Sequence, residues 1–175
     1  MEAITVRDLL TAVGGTLIGP EASLDRTVSS VDTDSRDIHP GSLFLPLVGE
    51  RFDGHTYIGS ALEAGAAGCL TAREPEHYQE GRFYIKVEDT QRALRDLAFW
   101  YKEQFRIPFV GVTGSVGKTT AKDMIASVLS VKYKVLKTEG NFNNEIGLPL
   151  TVFRLREEHE IAVLEMGISD FGEMT

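Results

Sequence analysis

Apolar residues in the second half of the chain form short continuous runs separated by helical spacings. The runs predict three strands, over residues 109–113, 134–138 and 161–166. After the first strand, one face of a predicted helix carries Met124, Ile125, Val128 and Leu129. A short helix is predicted to begin at Pro149, because proline is favoured at the first helical position. Strands that alternate with helices in this way imply a parallel sheet with right-handed crossovers.

In the first half of the chain the apolar runs are shorter, and they predict a mixture of short strands and helices. Thr5 is predicted to cap a helix that ends at Gly14, and a longer helix is predicted to follow Asp89. Between them, strands are predicted over residues 28–33, 43–48, 68–71 and 83–87, with a turn at 38–41 and a helix at 56–64. We therefore predict an α/β fold, with a small mixed α/β domain over residues 1–88 and a parallel-sheet domain over residues 89–175.

Composition excludes some classes of function. The formal net charge of −8 argues against a general nucleic-acid-binding protein, which normally carries a basic face. The single cysteine, Cys69, cannot form a disulfide within the chain, which fits a reducing compartment, and its apolar neighbours indicate a buried thiol. The N-terminus lacks the pattern of a signal peptide, and no apolar stretch approaches the ~20 residues needed to span a bilayer. We therefore expect a cytoplasmic protein without membrane insertion.

The sequence TGSVGKTT at residues 113–120 lies between a predicted buried strand and a predicted helix. Glycines there let backbone amides approach an anion at the positive end of the helix, and Lys118 adds a charge for the outer phosphates. In the common P-loop, four residues separate the first glycine from the Gly-Lys pair. Here Gly111 lies one residue too far from Gly117-Lys118, and Gly114 lies too near. The alternative is a structural glycine turn with a solvated lysine. We predict that the phosphates of a nucleoside triphosphate are bound by Gly114, Ser115, Val116, Gly117, Lys118, Thr119 and Thr120.

Two further features follow later strands. Glu165 ends a predicted buried strand, at the edge where open α/β sheets bind ligands, and with the Thr119 hydroxyl it is predicted to hold Mg²⁺. Its alternative role is a strand-end carboxylate bonded to neighbouring amides. Residues 140–149 (GNFNNEIGLP) contain three asparagines, which either serve a ligand or act as turn and capping residues.

These residues resemble the blocks of a known family, the Mur ligases of peptidoglycan synthesis. The similar segments are 111–120 (GVTGSVGKTT), 140–149 (GNFNNEIGLP), 165–167 (EMG), 34–44 (DSRDIHPGSLF) and 49–55 (GERFDGH). That family carries Thr-Gly-x-x-Gly-Lys-Thr, so the departure from the common P-loop supports the resemblance. It implies a UDP-substrate domain over residues 1–88, followed by an incomplete ATP-binding domain of the P-loop type over residues 89–175.

The resemblance also implies an activity. It is greatest to the member that uses ATP and Mg²⁺ to join D-alanyl-D-alanine to UDP-N-acetylmuramoyl tripeptide through an acyl phosphate. Lys118 and Glu165 would then be catalytic, and Asn143 and Asn144 would line the nucleotide cleft. The UDP part would contact Ser35, Arg36, Asp53 and His55. From the residues alone, an exposed surface side chain is the favoured interpretation of Arg36, and Asp53 and His55 are first of all turn and helix-start residues.

The ligase assignment comes with an expected truncation and with three alternatives: a binding module, a sibling ligase, and a P-loop kinase or GTPase. Enzymes of this family are more than twice as long as this chain, so we expect an inactive fragment of a longer enzyme. As an isolated polypeptide it would be a non-catalytic module that binds the UDP substrate or the nucleotide. A sibling Mur ligase that adds a different amino acid is the nearest competitor, although residues 140–149 speak against it. A P-loop kinase or GTPase is disfavoured because no guanine-specificity motif is present.

Overall fold

The computed structural model describes residues 1–75, 77–140 and 142–167. Its contacts divide the chain into two units, Met1–Leu97 and Ala98–Thr175. The division falls inside the helix Thr90–Glu103, whereas the sequence placed the boundary ahead of that helix, after residue 88. No helix within the described ranges has the length and apolar character required to cross a membrane.

The first unit opens with strand β1 (Ile4–Thr5) and helix α1 (Val6–Val13). The predicted cap at Thr5 is confirmed. Its hydroxyl accepts a hydrogen bond from the Asp8 amide at 3.1 Å, and the Asp8 carboxylate accepts one from the Thr5 amide at 3.0 Å. This reciprocal capping satisfies amides that a helix start leaves without partners. Gly14 then ends α1 in the left-handed conformation.

A five-stranded mixed sheet organises the rest of this unit. Its strands are β2 (Thr16–Ile18), β4 (Val31–Asp32), β5 (Leu43–Phe44), β6 (Gly68–Thr71) and β7 (Phe83–Lys86). The order is β2-β7-β6-β5-β4, and every pairing is parallel except that of β2 with β7. Helix α2 (Ile58–Glu63) follows a 3-10 turn at Gly54–Tyr57. A small mixed α/β domain was predicted, and this is its architecture.

The strand predicted over residues 28–33 is in fact two short strands. β3 (Thr27–Val28) pairs antiparallel with β1, whereas β4 pairs parallel with β5. The connection between β4 and β5 contains the predicted turn residues 38–41, but it is long enough to return the chain to the starting edge. The pairing of β4 with β5 is therefore parallel.

The core of this unit is apolar and tightly enclosed. Phe44, Leu62, Cys69 and Tyr84 belong to one buried cluster. Cys69 is fully buried and free, as predicted, and burial raises the pKa of its thiol. Such a thiol acts as a small hydrophobic side chain.

The second unit begins within helix α3 (Thr90–Glu103) and is built on a parallel sheet, as predicted. Its elements are β8 (Phe109–Val112), α4 (Lys118–Leu129), β9 (Val135–Lys137), α5 (Gly147–Val152) and β10 (Ile161–Glu165). The strand order is β8-β10-β9, and both pairings are parallel. The buried strand β10 is therefore central, which brings its carboxyl end beside the loop that follows β8.

The predicted apolar face of α4 is wrong for two of its four residues. Met124 is 66% exposed and Val128 is 73% exposed. The helix instead buries Ala126 and Lys122, while Ile125 and Leu129 pack partly against the sheet. Because lysine is not counted as hydrophobic, Lys122 was left out of the predicted apolar face. The predicted face is therefore rotated about the helix axis relative to the observed one.

Candidate functional site

The predicted phosphate loop connects β8 to α4. Gly117 is the residue before the helix and has φ 77°, a left-handed conformation that favours glycine. α4 begins at Lys118, and the Lys118 ammonium donates a hydrogen bond to the Gly114 carbonyl at 2.7 Å. The loop therefore ends at a helix N-terminus, where backbone amides and a lysine favour an anion.

A cavity of about 390 Å³ opens at this loop. It is lined by Ser115, Val116, Gly117, Lys118, Thr119, Thr120, Asn143 and Glu165. The loop, the segment after β9 and the end of β10 thus contribute to one cavity. Sequence analysis selects all eight of these residues, and the structure brings them together.

Glu165 lies at the inner wall of the cavity and is only 1% exposed. Its Oε1 accepts hydrogen bonds from the Asn143 amide at 2.8 Å and from the Thr119 hydroxyl at 3.2 Å. Its backbone amide donates to the Thr138 hydroxyl at 2.9 Å. A buried carboxylate that accepts two donors on one oxygen has a fixed orientation, as a ligand-binding group requires.

Lys122 is a residue of this site that sequence reasoning missed. Its ammonium nitrogen lies 3.6 Å from Glu165 Oε2, and both side chains are 2% exposed. Glu165 Oε2 itself has no hydrogen-bond partner among the described residues. The available signal was spacing, because Lys122 lies one helical turn after Lys118 and one turn before Ala126. Thr138 was likewise missed, and a buried threonine at a strand end gives no signal of its own.

The two asparagines assigned to the cleft do different things. Asn143 lines the cavity, and its carbonyl accepts a hydrogen bond from the Gly167 amide at 2.7 Å. A side chain at Gly167 would place its Cβ 2.8 Å from that carbonyl oxygen, so this close approach needs glycine. Asn144 does not line the cavity. Its side chain accepts from the amides of Ile146 and Gly147 at the start of α5, the capping role left open by the sequence.

The site offers oxygen ligands that suit Mg²⁺. The Thr119 hydroxyl and the Glu165 carboxylate lie within 3.2 Å of each other on one wall of the cavity. Among the described residues, no group of three or more His, Cys, Asp or Glu side chains could hold a metal by itself. Two protein oxygens fit Mg²⁺, because this ion keeps several waters and takes further ligands from substrate phosphates.

The residues assigned to the UDP part lie in two loops of the first unit. Ser35 and Arg36 belong to the turn after β4, and the Arg36 side chain is 87% exposed. Its guanidinium pairs with both oxygens of Asp34, at 2.6 Å for the shortest contact. Hydrogen bonds from the Arg36 side chain and backbone lower the pKa of Asp34 to about 2. An exposed guanidinium whose anionic partner lies in the same turn is available to a second anion.

Asp53 and His55 form the second group, together with Arg73. Asp53 accepts from the His55 amide at 3.0 Å and contacts His55 Nδ1 at 2.7 Å. His55 Nε2 accepts from the Ala72 amide at 3.0 Å, and the Arg73 guanidinium pairs with Asp53 at 2.7 Å. The backbone and side-chain hydrogen bonds from His55 lower the pKa of Asp53. Both ring nitrogens of His55 are thus used within the fold, while Arg73 is 66% exposed.

Two family profiles match the chain. The Mur ligase family, catalytic domain, matches residues 27–101, and the Mur ligase middle domain matches residues 112–175. The first match lies mainly in the first unit, and the second lies entirely in the second unit.

Individual proteins agree with this result. The chain is 48% identical over 170 residues to UDP-N-acetylmuramoyl-tripeptide–D-alanyl-D-alanine ligase of Bacillus subtilis, covering 97% of this chain and 37% of that protein. The structure of UDP-N-acetylmuramoylalanyl-D-glutamyl-2,6-diaminopimelate–D-alanyl-D-alanyl ligase from Acinetobacter baumannii is 34% identical, with a TM-score of 0.89, and covers 99% of this chain and 38% of that one.

A third protein carries a nucleotide. The MurF ligase of Thermotoga maritima, whose crystal structure is in complex with ADP, is 37% identical with a TM-score of 0.73. The match covers 80% of this chain and 32% of that one. The matched part of the chain therefore spans only 32–38% of the length of these relatives.

Proposed function

Because the chain belongs to the Mur ligase family, we propose that the protein carrying it joins D-alanyl-D-alanine to UDP-N-acetylmuramoyl tripeptide at the expense of ATP. The observation that carries this proposal is the meeting of the phosphate loop, Asn143 and Glu165 around one cavity. A phosphate loop beside a buried, ordered carboxylate suits transfer of a phosphoryl group. The name of the Bacillus subtilis relative supports the choice of reaction.

ATP is proposed to bind at the loop with its phosphates against the amides of residues 114–120. The Lys118 ammonium already points back over the loop to the Gly114 carbonyl, so a small movement would bring it to the outer phosphates. Most of the other lining residues are polar, with hydroxyl groups at Ser115, Thr119 and Thr120. These features suit a charged polyphosphate better than an apolar ligand.

Thr119 and Glu165 are proposed to hold Mg²⁺, with Asn143 orienting the carboxylate. When bound, the ion neutralises charge on the outer phosphates. The chain contributes the fixed oxygens, since Glu165 Oε1 is held by the Asn143 amide while the Thr119 hydroxyl lies against it. Glu165 also forms an ion pair with Lys122, and because both side chains are buried, solvent does not compete for this contact.

The proposed reaction has two steps. The tripeptide carboxylate attacks the γ-phosphoryl group, which forms an acyl phosphate and releases ADP. The amine of D-alanyl-D-alanine then attacks the acyl carbon, an amide bond forms, and inorganic phosphate leaves with the bonding electron pair while the amine loses a proton. Lys118 and the loop amides stabilise the charge that builds on the transferred group.

The first unit is proposed to hold the UDP part of the substrate. The Arg36 guanidinium suits the diphosphate, because its planar donors match paired phosphate oxygens. Ser35 is its neighbour in the same turn, and Asp53 and His55 would act mainly by positioning the exposed Arg73. ATP and a UDP-linked substrate are cytoplasmic metabolites, so the proposal includes a cytoplasmic location.

One assay tests the reaction. The protein carrying this chain is mixed with UDP-N-acetylmuramoyl tripeptide, ATP, Mg²⁺ and D-alanyl-D-alanine, and phosphate release is followed. We expect release only when all components are present. If another amino compound supports release and D-alanyl-D-alanine does not, the protein is a sibling ligase. If phosphate release never requires the UDP substrate, the ligase proposal fails.

The chain alone is proposed to bind without turnover, because it spans 37% of its Bacillus subtilis relative. Calorimetry of this chain with UDP-N-acetylmuramoyl tripeptide should give a saturable heat. An Arg36→Ala variant should weaken that binding, whereas Arg106→Ala, at an exposed arginine of the second unit, should not. Absence of heat with the unmodified chain would remove the proposed role of the first unit.

A further inference from the structure

Helix α4 has one buried lysine, Lys122, which does not line the cavity. Lys122 is 2% exposed, and its ammonium nitrogen lies 3.6 Å from Glu165 Oε2. Lysine side chains are almost never fully buried unless a partner compensates their charge. That partner is the carboxylate to which magnesium is assigned above, so any role of Lys122 at the metal rests on the proposed function.

The two oxygens of Glu165 are used differently. Oε1 accepts two hydrogen bonds, from Asn143 and Thr119. Oε2 is buried, accepts none from the described part of the chain, and faces the Lys122 ammonium. A carboxylate has two equivalent oxygens, so its orientation is set only by its surroundings. An ammonium group on one side and an amide donor on the other distinguish the two oxygens and fix which one reaches the phosphate loop.

Lys122 is itself held from two sides. Its ammonium nitrogen is also 3.6 Å from Asp123 Oδ1, and that oxygen accepts a hydrogen bond from the Lys137 ammonium at 2.8 Å. Charges therefore alternate from Glu165 through Lys122 and Asp123 to Lys137. Asp123 and Lys137 are about half exposed, so only the Glu165 end of this series is shielded from water.

We propose that Lys122 is a positioning residue for the metal site. It holds the Glu165 carboxylate so that Oε1 faces Thr119 and the phosphate loop, and it thereby increases the contribution of Mg²⁺ to nucleotide binding. Residues that orient a metal ligand from behind typically change metal affinity by about 10- to 100-fold. A lysine that only stabilised the fold would have no selective effect on magnesium.

Calorimetric titration of this chain with ATP, in Mg²⁺ and then in EDTA, separates these two roles. The ratio of the dissociation constant in EDTA to that in Mg²⁺ gives the gain in ATP affinity due to magnesium. We expect Lys122→Met to reduce this gain by roughly tenfold or more, while the dissociation constant in EDTA changes by less than about twofold because the loop amides and Lys118 remain. Lys122→Arg should keep most of the gain, and the exposed-lysine control Lys132→Met should keep all of it.

Two further variants keep the test decisive. Glu165→Gln should reduce the gain as Lys122→Met does, and adding Lys122→Met to Glu165→Gln should cause no further loss, because both changes act through one carboxylate. If Lys122→Met does not fold, Lys122→Gln removes the charge but keeps a hydrogen-bond donor for Oε2. It should then show the reduced gain.

Each outcome points to a different conclusion. Equal weakening in Mg²⁺ and EDTA, with a lower unfolding temperature, would mean that Lys122 is only structural and would overturn the inference. An unchanged gain in Lys122→Met beside a reduced gain in Glu165→Gln would overturn it while leaving the proposed function intact. If neither Glu165→Gln nor the unmodified chain shows any magnesium dependence, the proposed metal site fails, and the role of Lys122 fails with it.

Discussion

We expect that replacing Lys118 with alanine weakens nucleotide binding much more than it lowers the stability of the fold. In the structure the Lys118 ammonium donates a hydrogen bond to the Gly114 carbonyl at 2.7 Å. This bond is exposed to solvent, so losing it costs at most about 0.5–1.5 kcal/mol of unfolding free energy. A hydrogen bond to a charged phosphate contributes about 1.5–3 kcal/mol, which corresponds to roughly 10- to 150-fold in the dissociation constant for ATP. The loss of affinity should therefore greatly exceed the loss of stability.

The assay has three parts. Calorimetry with ATP and Mg²⁺ should show the weaker binding, and titration with UDP-N-acetylmuramoyl tripeptide should be unaffected. Urea unfolding should show a loss of at most ~1 kcal/mol. In the protein carrying the chain, ATP turnover should fall by about 100-fold or more. Lys132→Ala, at an exposed lysine, is the matched control. Equal losses of ATP and UDP-substrate binding would refute a nucleotide-specific role for Lys118.

Three other measurements concern buried or paired groups. Tyr101→Phe removes the buried hydrogen bond from the Tyr101 hydroxyl to the Leu155 carbonyl at 2.8 Å and should lower the unfolding free energy by about 1–2 kcal/mol in urea. The Asp34 carboxyl should titrate near pH 2 by NMR, and Arg36→Gln should raise its pKa towards 3.8. Because the folded pKa lies below the unfolded one, this pair contributes stability above about pH 4 that is lost as pH falls towards 2. The Cys69 thiol should resist a thiol reagent in the folded chain and react on unfolding, since it is fully buried.

For each of these three measurements, one result would contradict the physical argument behind it. Tyr133→Phe, at a partly exposed tyrosine, should leave stability unchanged, and an equal effect there would remove the argument from burial. An Asp34 titration unchanged by Arg36→Gln would mean that the guanidinium is not the cause of the lowered pKa. Rapid labelling of Cys69 under native conditions would contradict its enclosure in the core.

The loop between β8 and α4 could be located from the sequence because several local signals coincide there, and its binding of phosphate stays a prediction. A strand that leads into a turn with two glycines, followed by a lysine and a hydroxyl residue, is the sequence context of phosphate-binding loops. The strand itself was predicted to be buried, and this is wrong for three of its four residues, because only Val112 of β8 is buried. The parallel sheet could be predicted for a similar reason, since strands and helices alternate. The strand predicted at residues 68–71 coincides with Gly68–Thr71, where four consecutive residues are buried.

The features that were missed depend on the folded environment. Lys122 looks like a solvated lysine until β10 brings Glu165 within 3.6 Å of it, and that contact joins residues from distant parts of the chain. The exposed positions of Met124 and Val128 have the same cause, because the inner face of α4 was chosen without its lysine. The parallel pairing of β4 with β5 also escaped prediction, since turn residues do not specify the direction of the next strand.

The hydrogen bond between Lys118 and Gly114 has a further consequence for recognition. A free lysine side chain samples many rotamers, and ordering it costs up to about 2 kcal/mol of entropy. Here folding has already restricted the Lys118 chain by tethering its ammonium to the Gly114 carbonyl. A phosphate bound as proposed would therefore meet a side chain whose freedom is already reduced, and Lys118 would exchange one acceptor for a more strongly charged one. The loop limits the entropy lost on association by supplying its own temporary counterpart for the lysine.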